Sequence, residues 1–273
     1  MSELRDILQT YVSNGSVPGA VGLIARGGQV EVQAAGSADV DGTSPMGRDS
    51  IFRIASITKP ITAAAVMMLV EDGRIALEDP VGPWLPELAS PVVVRTPASP
   101  ADDVVPAERP ITVADLLTFR AGYGFSPDFS MPAVRLLVSK LKQGPPQPQL
   151  VAAPDEWMAA LARIPLLHQP GEAWLYKTCS DILGVLIARV SGRPLPEFLA
   201  ERLFGPLGMA DTGFEVSASK LDRFISYYRT GPAGGLELVD ALGGQWNALD
   251  PGFHGVPTRS VYPDRDADGA GVS

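Results

Sequence analysis

The chain has 273 residues, 45% of them hydrophobic, and a formal net charge of −9 at pH 7. A chain of this length and composition can bury a large core within one domain. The negative charge argues against nucleic acid or an anionic membrane surface as a partner, because either would be repelled. A single cysteine, Cys179, excludes an internal disulfide, and His168 and His254 give no pattern of metal ligands.

The N-terminal segment, residues 1–13, mixes charged residues with apolar residues at helical spacing. It therefore lacks the continuous apolar centre of a signal peptide. The longest uncharged apolar run, Pro60 to Val70, has 11 residues, whereas crossing a bilayer takes about 20. We therefore expect a cytoplasmic protein that has no membrane partner.

The first predicted elements are a helix and a hairpin. Apolar residues recur at helical spacing over residues 4–11, and the pattern then changes to two strand-like runs, 20–25 and 29–35, joined through two glycines. We predict an antiparallel hairpin here. A short apolar, strand-like run, 51–55, leads to Ser56, and a helix is predicted from Lys59 to Asp72.

Further along, prolines recur from residue 80 to residue 110, which favours a loop-rich crossing over the surface. Four helices are predicted after it, over residues 111–118, 155–163, 181–190 and 196–204. We expect a single domain, 1–273, in three parts. Residues 1–79 hold the N-terminal helix, the hairpin and the helix after Ser56, residues 80–205 form a mostly helical lobe, and residues 206–273 partly return to the sheet.

The sequence shows few strands. Only the hairpin and the run before Ser56 are convincing, whereas a stable sheet with one covered face needs about three or more strands. The segment 252–273 is polar and rich in glycine and aspartate, without a closing helix or strand pair. We therefore expect an α/β (α+β) protein whose sheet is incomplete and whose chain is truncated.

The strongest catalytic candidate is Ser56-Ile57-Thr58-Lys59. A serine hydroxyl becomes a nucleophile when a neighbouring base takes its proton, and the three-residue spacing places Ser56 and Lys59 on one face of a first helical turn. Backbone N–H groups at such a helix start also favour a developing oxyanion. Lys59 acts as the base only in its neutral form, which burial or a nearby cation favours.

The same four-residue pattern occurs at Ser139–Lys142 and Ser217–Lys220. Only Ser56 follows an apolar run and opens an apolar helix, which would bury the lysine of the pair. The other two matches are interpreted as solvated lysines near helix ends.

Five segments occur in an order and spacing that resemble the serine β-lactamase-related family, which includes class C β-lactamases, D,D-peptidases and similar esterases. They are Val17–Ala20, Phe52–Lys59, Leu116–Thr118 with Ala121-Gly122, Pro170–Tyr176 and Pro206–Thr212. The resemblance covers roughly residues 15–214. It implies a β-lactamase/transpeptidase-like antiparallel sheet flanked by helices, an all-helical lobe beside it, and an acyl-enzyme mechanism that requires no metal and no organic cofactor.

The resemblance also implies roles for individual residues. Ser56 matches the nucleophile, Lys59 its activating partner, and Tyr176 the tyrosine that relays a proton to the leaving group. Trp174 and Thr178 are predicted to contact the substrate. The alternative for Tyr176 is an ordinary core tyrosine beside Trp174.

The chain departs from the family pattern after Tyr176. The family commonly has serine next and, in its β-lactamase branch, asparagine one place further, where this chain has Lys177 and Thr178. Loss of that amide favours an ester over a β-lactam or peptide substrate. Lys177 is interpreted either as a charge that tunes the tyrosine or as a solvated lysine.

The family's third motif, Lys or His followed by a small residue and Gly, has no convincing copy in this chain. His254-Gly255 is too loop-like, and residues 269–273 resemble only the start of a family segment. This absence keeps open an alternative function, an inactive fragment or a non-catalytic module that binds acyl groups or peptides.

The leading prediction is a serine hydrolase that acts on small carboxylic esters, with weak β-lactam or D-amino-acid amide activity as a secondary expectation. Its partner is then a small-molecule ester or amide. A Ser-His-Asp hydrolase that uses His168 or His254 is the third hypothesis, and it lacks a Gly-x-Ser-x-Gly elbow.

Overall fold

The computed structural model describes residues 3–125, 128–143, 151–231 and 234–240. These residues divide into two compact units, one formed by residues 3–53 with 216–240 and the other by residues 54–215. Within the described ranges, no helix is both long enough and apolar enough to span a bilayer.

The first unit begins with helix α1, Glu3–Ser13, and strands β1, Gly19–Arg26, and β2, Gln29–Gly36. The strands pair antiparallel from Gly19 opposite Gly36 to Arg26 opposite Gln29. Gly27 and Gly28 both have positive φ, as a two-residue hairpin turn requires. The predicted helix and hairpin are confirmed.

Helix α1 packs directly on this hairpin. A Cβ at Gly22 would lie 2.9 Å from a methyl carbon of Leu4 and 3.3 Å from one of Leu8. The absence of a side chain at Gly22 therefore lets the helix approach the strand closely.

The first unit contains a second hairpin, of β5, Tyr227–Thr230, and β6, Leu236–Asp240, which the sequence analysis missed. Beside it, Ile51 forms a single parallel bridge with Phe224. The predicted strand-like approach to Ser56 is therefore reduced to one bridged residue.

The second unit contains strands β3, Val92–Val94, and β4, Val104–Pro106, and is otherwise mostly helical. Its helices are α2, Thr58–Glu71; α3, Val113–Leu117; α4, Pro132–Leu141; α5, Pro154–Leu161; α6, Thr178–Ser191; and α7, Leu195–Leu199, which continues into a π-helical turn, Ala200–Phe204. The predicted helices are confirmed with shifted ends. Helix α4 and the β3–β4 hairpin were missed.

The core of the second unit is the contact between α2 and α6. Helix α6 is buried along most of its length, and Val66 and Leu69 of α2 are fully buried. Helix α2, which we grouped with the N-terminal hairpin, clusters instead with the helical residues. The reason is its composition, since a helix that is apolar on most sides must be covered by other helices.

The mixed fold class is confirmed. The described residues form three two-stranded antiparallel ladders rather than one continuous sheet. The prediction that the chain is truncated rests on the segment 252–273, which lies outside the described residues and includes both His254 and residues 269–273.

Candidate active site

Ser56 lies in a tight turn that leads into α2. A single 3₁₀ turn, Ala55–Ile57, directly precedes the helix, and Ala55 has a φ of 44°, a left-handed value that is uncommon for a residue with a Cβ. Pro60 is tolerated in the first turn of α2, where an N–H would have no intrahelical partner. The turn therefore places Ser56 one helical turn before Lys59.

Tyr176 reaches the same place from the segment before α6. Its backbone forms a two-way bridge with Phe125, through hydrogen bonds of 3.1 Å from Phe125 N to Tyr176 O and 3.3 Å from Tyr176 N to Phe125 O. The neighbouring Leu175 N donates to Phe119 O at 2.9 Å. These backbone bonds fix the direction in which the Tyr176 side chain leaves the chain.

The three side chains form a closed triangle. The Ser56 Oγ lies 2.9 Å from the Tyr176 Oη and 2.9 Å from the Lys59 Nζ, and the Lys59 Nζ lies 3.1 Å from the Tyr176 Oη. Each distance is that of a hydrogen bond. A hydroxyl in contact with both an amine and a phenol can transfer its proton as it attacks an electrophile.

Among the three side chains, the clearest electrostatic effect is on the pKa of Tyr176. Burial opposes ionisation of the phenol, but the hydrogen bonds from Ser56 and Lys59 and the charges of Lys59 and Lys177 outweigh it and hold the pKa of Tyr176 below its usual value. The Lys59 Nζ also lies 4.7 Å from the centre of the Tyr176 ring. The phenol is thus placed to exist as an anion more readily than an ordinary tyrosine.

Apolar side chains surround this triangle on the exposed side. Trp174 is 61% exposed, and its ring centre lies 6.1 Å from that of Phe119 and 6.1 Å from that of Tyr176. Ile57, next to the nucleophile, is 63% exposed. Large exposed apolar side chains beside a reactive group are suited to contact an apolar part of a substrate.

Thr178 is not among the exposed side chains beside Ser56, Lys59 and Tyr176. It is fully buried at the start of α6, and its hydroxyl donates to the Gln143 Oε1 at 2.7 Å. Our expectation that Thr178 contacts a substrate therefore does not fit this geometry, because the hydroxyl has a protein partner and no exposed surface.

The interpretation of Lys177 as a solvated lysine is wrong. Only 7% of this residue is exposed, and the side chain lies against Phe125, with the Nζ 6.0 Å from the ring centre. Burial, opposed by attraction to Asp181, lowers the pKa of Lys177.

The structure also reveals a buried polar cluster at the start of α6. Asp181, 2% exposed, accepts a hydrogen bond of 2.6 Å from the Gln143 Nε2, and burial raises the pKa of Asp181 to about 7. Sequence reasoning missed this cluster because Gln143 lies 38 positions before Asp181. No local spacing links the two residues.

The Ser-His-Asp hypothesis gains no support from the geometry. The Nδ1 of His168 lies 3.6 Å from the Glu172 Oε2, whereas the Ser56 hydroxyl contacts Lys59 and Tyr176. His254 is outside the described residues. Among the residues that the structure describes, no three candidate ligands are grouped as a metal site would require.

The chain belongs to the Beta-lactamase family, which it matches over residues 4–271. The fold is that of the β-lactamase/transpeptidase group. Its solved relatives include EstCE1, a hydrolase with promiscuous acyltransferase activity, which is 29% identical with a TM-score of 0.75 and a match that covers 96% of this chain and 65% of that one.

Curated relatives agree with this assignment. The esterase EstB of Burkholderia gladioli is 34% identical over 225 residues, which make up 82% of this chain and 53% of EstB. A Mycobacterium tuberculosis protein is 39% identical in an alignment 274 positions long, which covers 94% of this chain and 65% of that protein. The chain therefore spans between about half and two thirds of the length of these relatives.

Proposed function

We propose that this chain is a serine hydrolase that cleaves small carboxylic esters through an acyl-enzyme on Ser56. The observation that supports this proposal most directly is the contact of the Ser56 Oγ with both Lys59 and Tyr176, each at 2.9 Å. Such contacts supply the proton acceptor without which a serine hydroxyl is a weak nucleophile.

In the proposed reaction, the Ser56 Oγ attacks the ester carbonyl and gives its proton to the Lys59–Tyr176 pair. The tetrahedral intermediate then collapses, and the alcohol leaves with a proton relayed by Tyr176. In the second half, water attacks the acyl-enzyme carbonyl and gives its proton to the same groups. The second tetrahedral intermediate then breaks its bond to the Ser56 Oγ, the carboxylic acid leaves, and the Oγ takes the proton back. Proton transfer of this kind contributes about 10²- to 10⁴-fold to a rate.

Two observations favour esters with apolar groups as substrates. EstB is an esterase, and a Penicillium rubens relative, lovastatin esterase, is 32% identical over 213 residues, 76% of this chain and 51% of that enzyme. Trp174 and Ile57 present exposed apolar surface beside the triangle. We include Trp174 in the site as a substrate contact.

Weak activity on D-amino-acid amides or β-lactams is a secondary proposal. It is supported by the similarity to a D-amino acid amidase of Ochrobactrum anthropi, 27% identical with a TM-score of 0.62 over 91% of this chain and 63% of that one. The amine that leaves from an amide needs a proton more than the alcohol that leaves from an ester, because an amine anion is the stronger base. Amide cleavage should therefore depend most strongly on Tyr176, which relays that proton.

The test is labelling of the purified chain with a fluorophosphonate, mapped by mass spectrometry, followed by turnover of p-nitrophenyl acetate and butyrate. We expect the label on Ser56 and its loss in Ser56→Ala, with turnover reduced roughly 10⁴-fold or more. Ser139→Ala is the matched control, because Ser139 also precedes a lysine by three positions and is exposed.

Label on Ser139, or turnover that survives Ser56→Ala, would contradict the proposal. Label on Ser56 without turnover would favour the alternative, a module that binds acyl groups without releasing them.

A further inference from the structure

Trp174 and Tyr176 lie on the same side of the segment that leads into α6. Trp174 is 61% exposed and Tyr176 36%, whereas Leu175 between them is 3% exposed and packs in a small apolar cluster of the core. This alternation is that of an extended segment, in which successive side chains point to opposite sides. Burial of Leu175 therefore turns both aromatic rings outward, next to each other.

The ring of Phe119 continues this arrangement. It lies against Trp174 with ring centres 6.1 Å apart and planes 23° apart, and the Trp174 and Tyr176 rings, also 6.1 Å between centres, differ by 35°. Such spacings are typical of attractive aromatic pairs. Phe119 is partly buried and packs against the core. The three rings form an aromatic row that runs from the core, through the exposed Trp174, to the phenol that contacts Ser56.

The backbone at Phe119 is unusual for a phenylalanine. Phe119 follows the C-terminus of α3, where its N donates to the Leu116 O at 3.2 Å. The next residue, Arg120, donates its N to the Asp115 O at 2.7 Å. These two bonds are those of a Schellman motif, whose left-handed residue is usually glycine, and Phe119 has a φ of 61°. Strained residues persist where the surrounding structure uses them, and a glycine here would leave Trp174 without its stacking partner.

The chemistry at Tyr176 indicates which part of an ester meets the aromatic row. In the proposed reaction the Ser56 Oγ bonds to the carbonyl carbon, the bond from that carbon to the alcohol oxygen breaks, and this oxygen takes the proton relayed by the Tyr176 Oη. The alcohol oxygen must then lie within hydrogen-bond distance of the Oη. The group that it carries starts beside the phenol whose ring is paired with Trp174.

We propose that the exposed face of Trp174, supported by Phe119, is a leaving-group subsite that selects esters of alcohols carrying an aromatic ring, such as benzyl esters. The proposal rests on the proposed function and specifies its substrate class. A flat ring stacked on an indole gains energy beyond the burial of its apolar area, which a saturated ring of the same size does not. Trp174 contacts the substrate, and Phe119 is a positioning residue that holds the indole.

The test measures kcat and KM for benzyl acetate, cyclohexylmethyl acetate, methyl phenylacetate and methyl acetate, from the acid released at constant pH. Benzyl alcohol and cyclohexylmethanol have the same number of carbons and similar acidity, so this pair separates an aromatic ring from an apolar one. Methyl phenylacetate moves the ring to the acyl side. Methyl acetate carries no ring and reports the basal activity.

In Trp174→Ala we expect the ratio of kcat/KM for benzyl acetate to that for cyclohexylmethyl acetate to fall by about 3- to 10-fold, mainly through KM. The two methyl esters should change by less than about 2-fold. If Trp174→Ala fails to fold, Trp174→Leu, which keeps an apolar side chain, replaces it with the same expectation.

Two further variants test the support of Trp174. Phe119→Leu should lower the same ratio by about 2- to 3-fold, and Phe119→Tyr, which keeps the ring, should preserve it. The matched control is Phe129→Ala. Phe129 is 58% exposed and pairs with Phe125, 5.4 Å between ring centres, so it is an exposed aromatic residue outside the row. Its loss should leave all four esters unchanged.

An unchanged ratio in Trp174→Ala, or an equal fall for all four esters, would overturn the inference. So would an equal fall of the ratio in Phe129→Ala. Selective loss of activity on methyl phenylacetate in Trp174→Ala would place the acyl group on the row and overturn the assignment to the alcohol.

A binding measurement separates failure of the subsite from failure of the proposed function. Benzyl alcohol should change the tryptophan fluorescence of the natural chain at lower concentration than cyclohexylmethanol does, and Trp174→Phe should lack the part of the change that arises from the indole of Trp174. If no ester is turned over but this change is present, the hydrolase proposal fails while the aromatic subsite stands. If esters are turned over without a benzyl preference and without this change, the subsite fails while the hydrolase proposal stands.

Discussion

Among the described residues of the second unit, two aspartates are buried, each in the first turn of a helix and each with a basic residue nearby. Their environments differ sharply. Asp115 of α3 accepts hydrogen bonds from the Arg109 guanidinium at 2.6 and 2.8 Å and from the backbone and hydroxyl of Thr112 at 2.9 and 3.0 Å. Asp181 of α6 accepts one, from Gln143, at 2.6 Å. The basic residue near Asp181 is Lys177.

The two carboxyl groups respond to burial in opposite directions. Burial disfavours the charge of both, but the donors around Asp115 outweigh it and hold the pKa of Asp115 below its usual value. With one neutral donor and more distant lysines, Asp181 has a pKa raised to about 7. The comparison shows that a charged donor and several further hydrogen bonds can offset the burial of a carboxylate, whereas one neutral donor does not offset the burial of Asp181.

Asp115 also holds the start of α3. Thr112 and Asp115 form a capping box, in which the Thr112 side chain accepts from the Asp115 backbone and the Asp115 carboxylate accepts from the Thr112 backbone. Arg109 adds a charged donor to the same carboxylate. Among the described residues, the hydrogen-bond donor to Asp181 is the neutral amide of Gln143.

The largest expected effect on stability comes from removing the charged hydrogen-bond partner of Asp115. Arg109→Met leaves Asp115 buried with a charge and without its bidentate partner. We expect a loss of about 3 kcal/mol in the free energy of unfolding, measured by urea denaturation. The control is Arg95→Met, which breaks the exposed Arg95–Asp103 pair and should cost less than about 1 kcal/mol. Equal losses would show that the burial of Asp115 is irrelevant.

The next largest expected effect is a difference between Asp115 and Asp181 in how their contributions to stability depend on pH. For Asp115, the folded pKa lies below the unfolded one, so its contribution to stability is present above about pH 4 and is lost as the pH falls through the folded pKa. For Asp181, the folded pKa lies above the unfolded one. The folded state then retains a proton that the unfolded state releases, and this group lowers stability as the pH rises from about 4 to about 7.

Asp181→Asn should therefore remove a downward slope of up to about 1.4 kcal/mol per pH unit in that window. Asp115→Asn should keep the slope and lose stability at neutral pH instead. Urea denaturation at several pH values between about 4 and 7 measures both. A slope that is unchanged in Asp181→Asn would mean that Asp181 stays ionised throughout.

The sequence could predict the parts of this unit that depend on local spacing. Ser56 and Lys59 lie three positions apart at a helix start, and a helical turn brings them into contact. Tyr176 lies 120 positions from Ser56, so only a resemblance over the whole chain could associate them.

Other features could not be predicted because their residue types are usual in a different environment. Prolines in residues 80–110 suggested a loop, yet Pro106 ends a strand at an edge, where a missing N–H costs no ladder bond. A lysine is normally assigned to the surface, and nothing near Lys177 in the sequence indicates that it is buried and lies against Phe125. Burial of a polar residue is decided by distant segments, and a local pattern cannot reveal it.

The smallest expected effects come from removing one threonine hydroxyl from the hydrogen-bond network of each aspartate: Thr112, which bonds to Asp115, and Thr178, which bonds to the Gln143 that donates to Asp181. Thr112→Val removes the side-chain cap of α3. The Thr112 hydroxyl accepts from Asp115 N at 3.2 Å and donates to the Asp115 Oδ2. Thr178→Val removes the hydroxyl that donates to the Gln143 Oε1. Each should cost about 1 kcal/mol in the free energy of unfolding. Thr178→Val should leave fluorophosphonate labelling of Ser56 unchanged, because its buried hydroxyl bonds to Gln143 and offers no surface to a substrate. A fall in labelling without a fall in stability would restore Thr178 as a substrate contact and place the polar cluster inside the site.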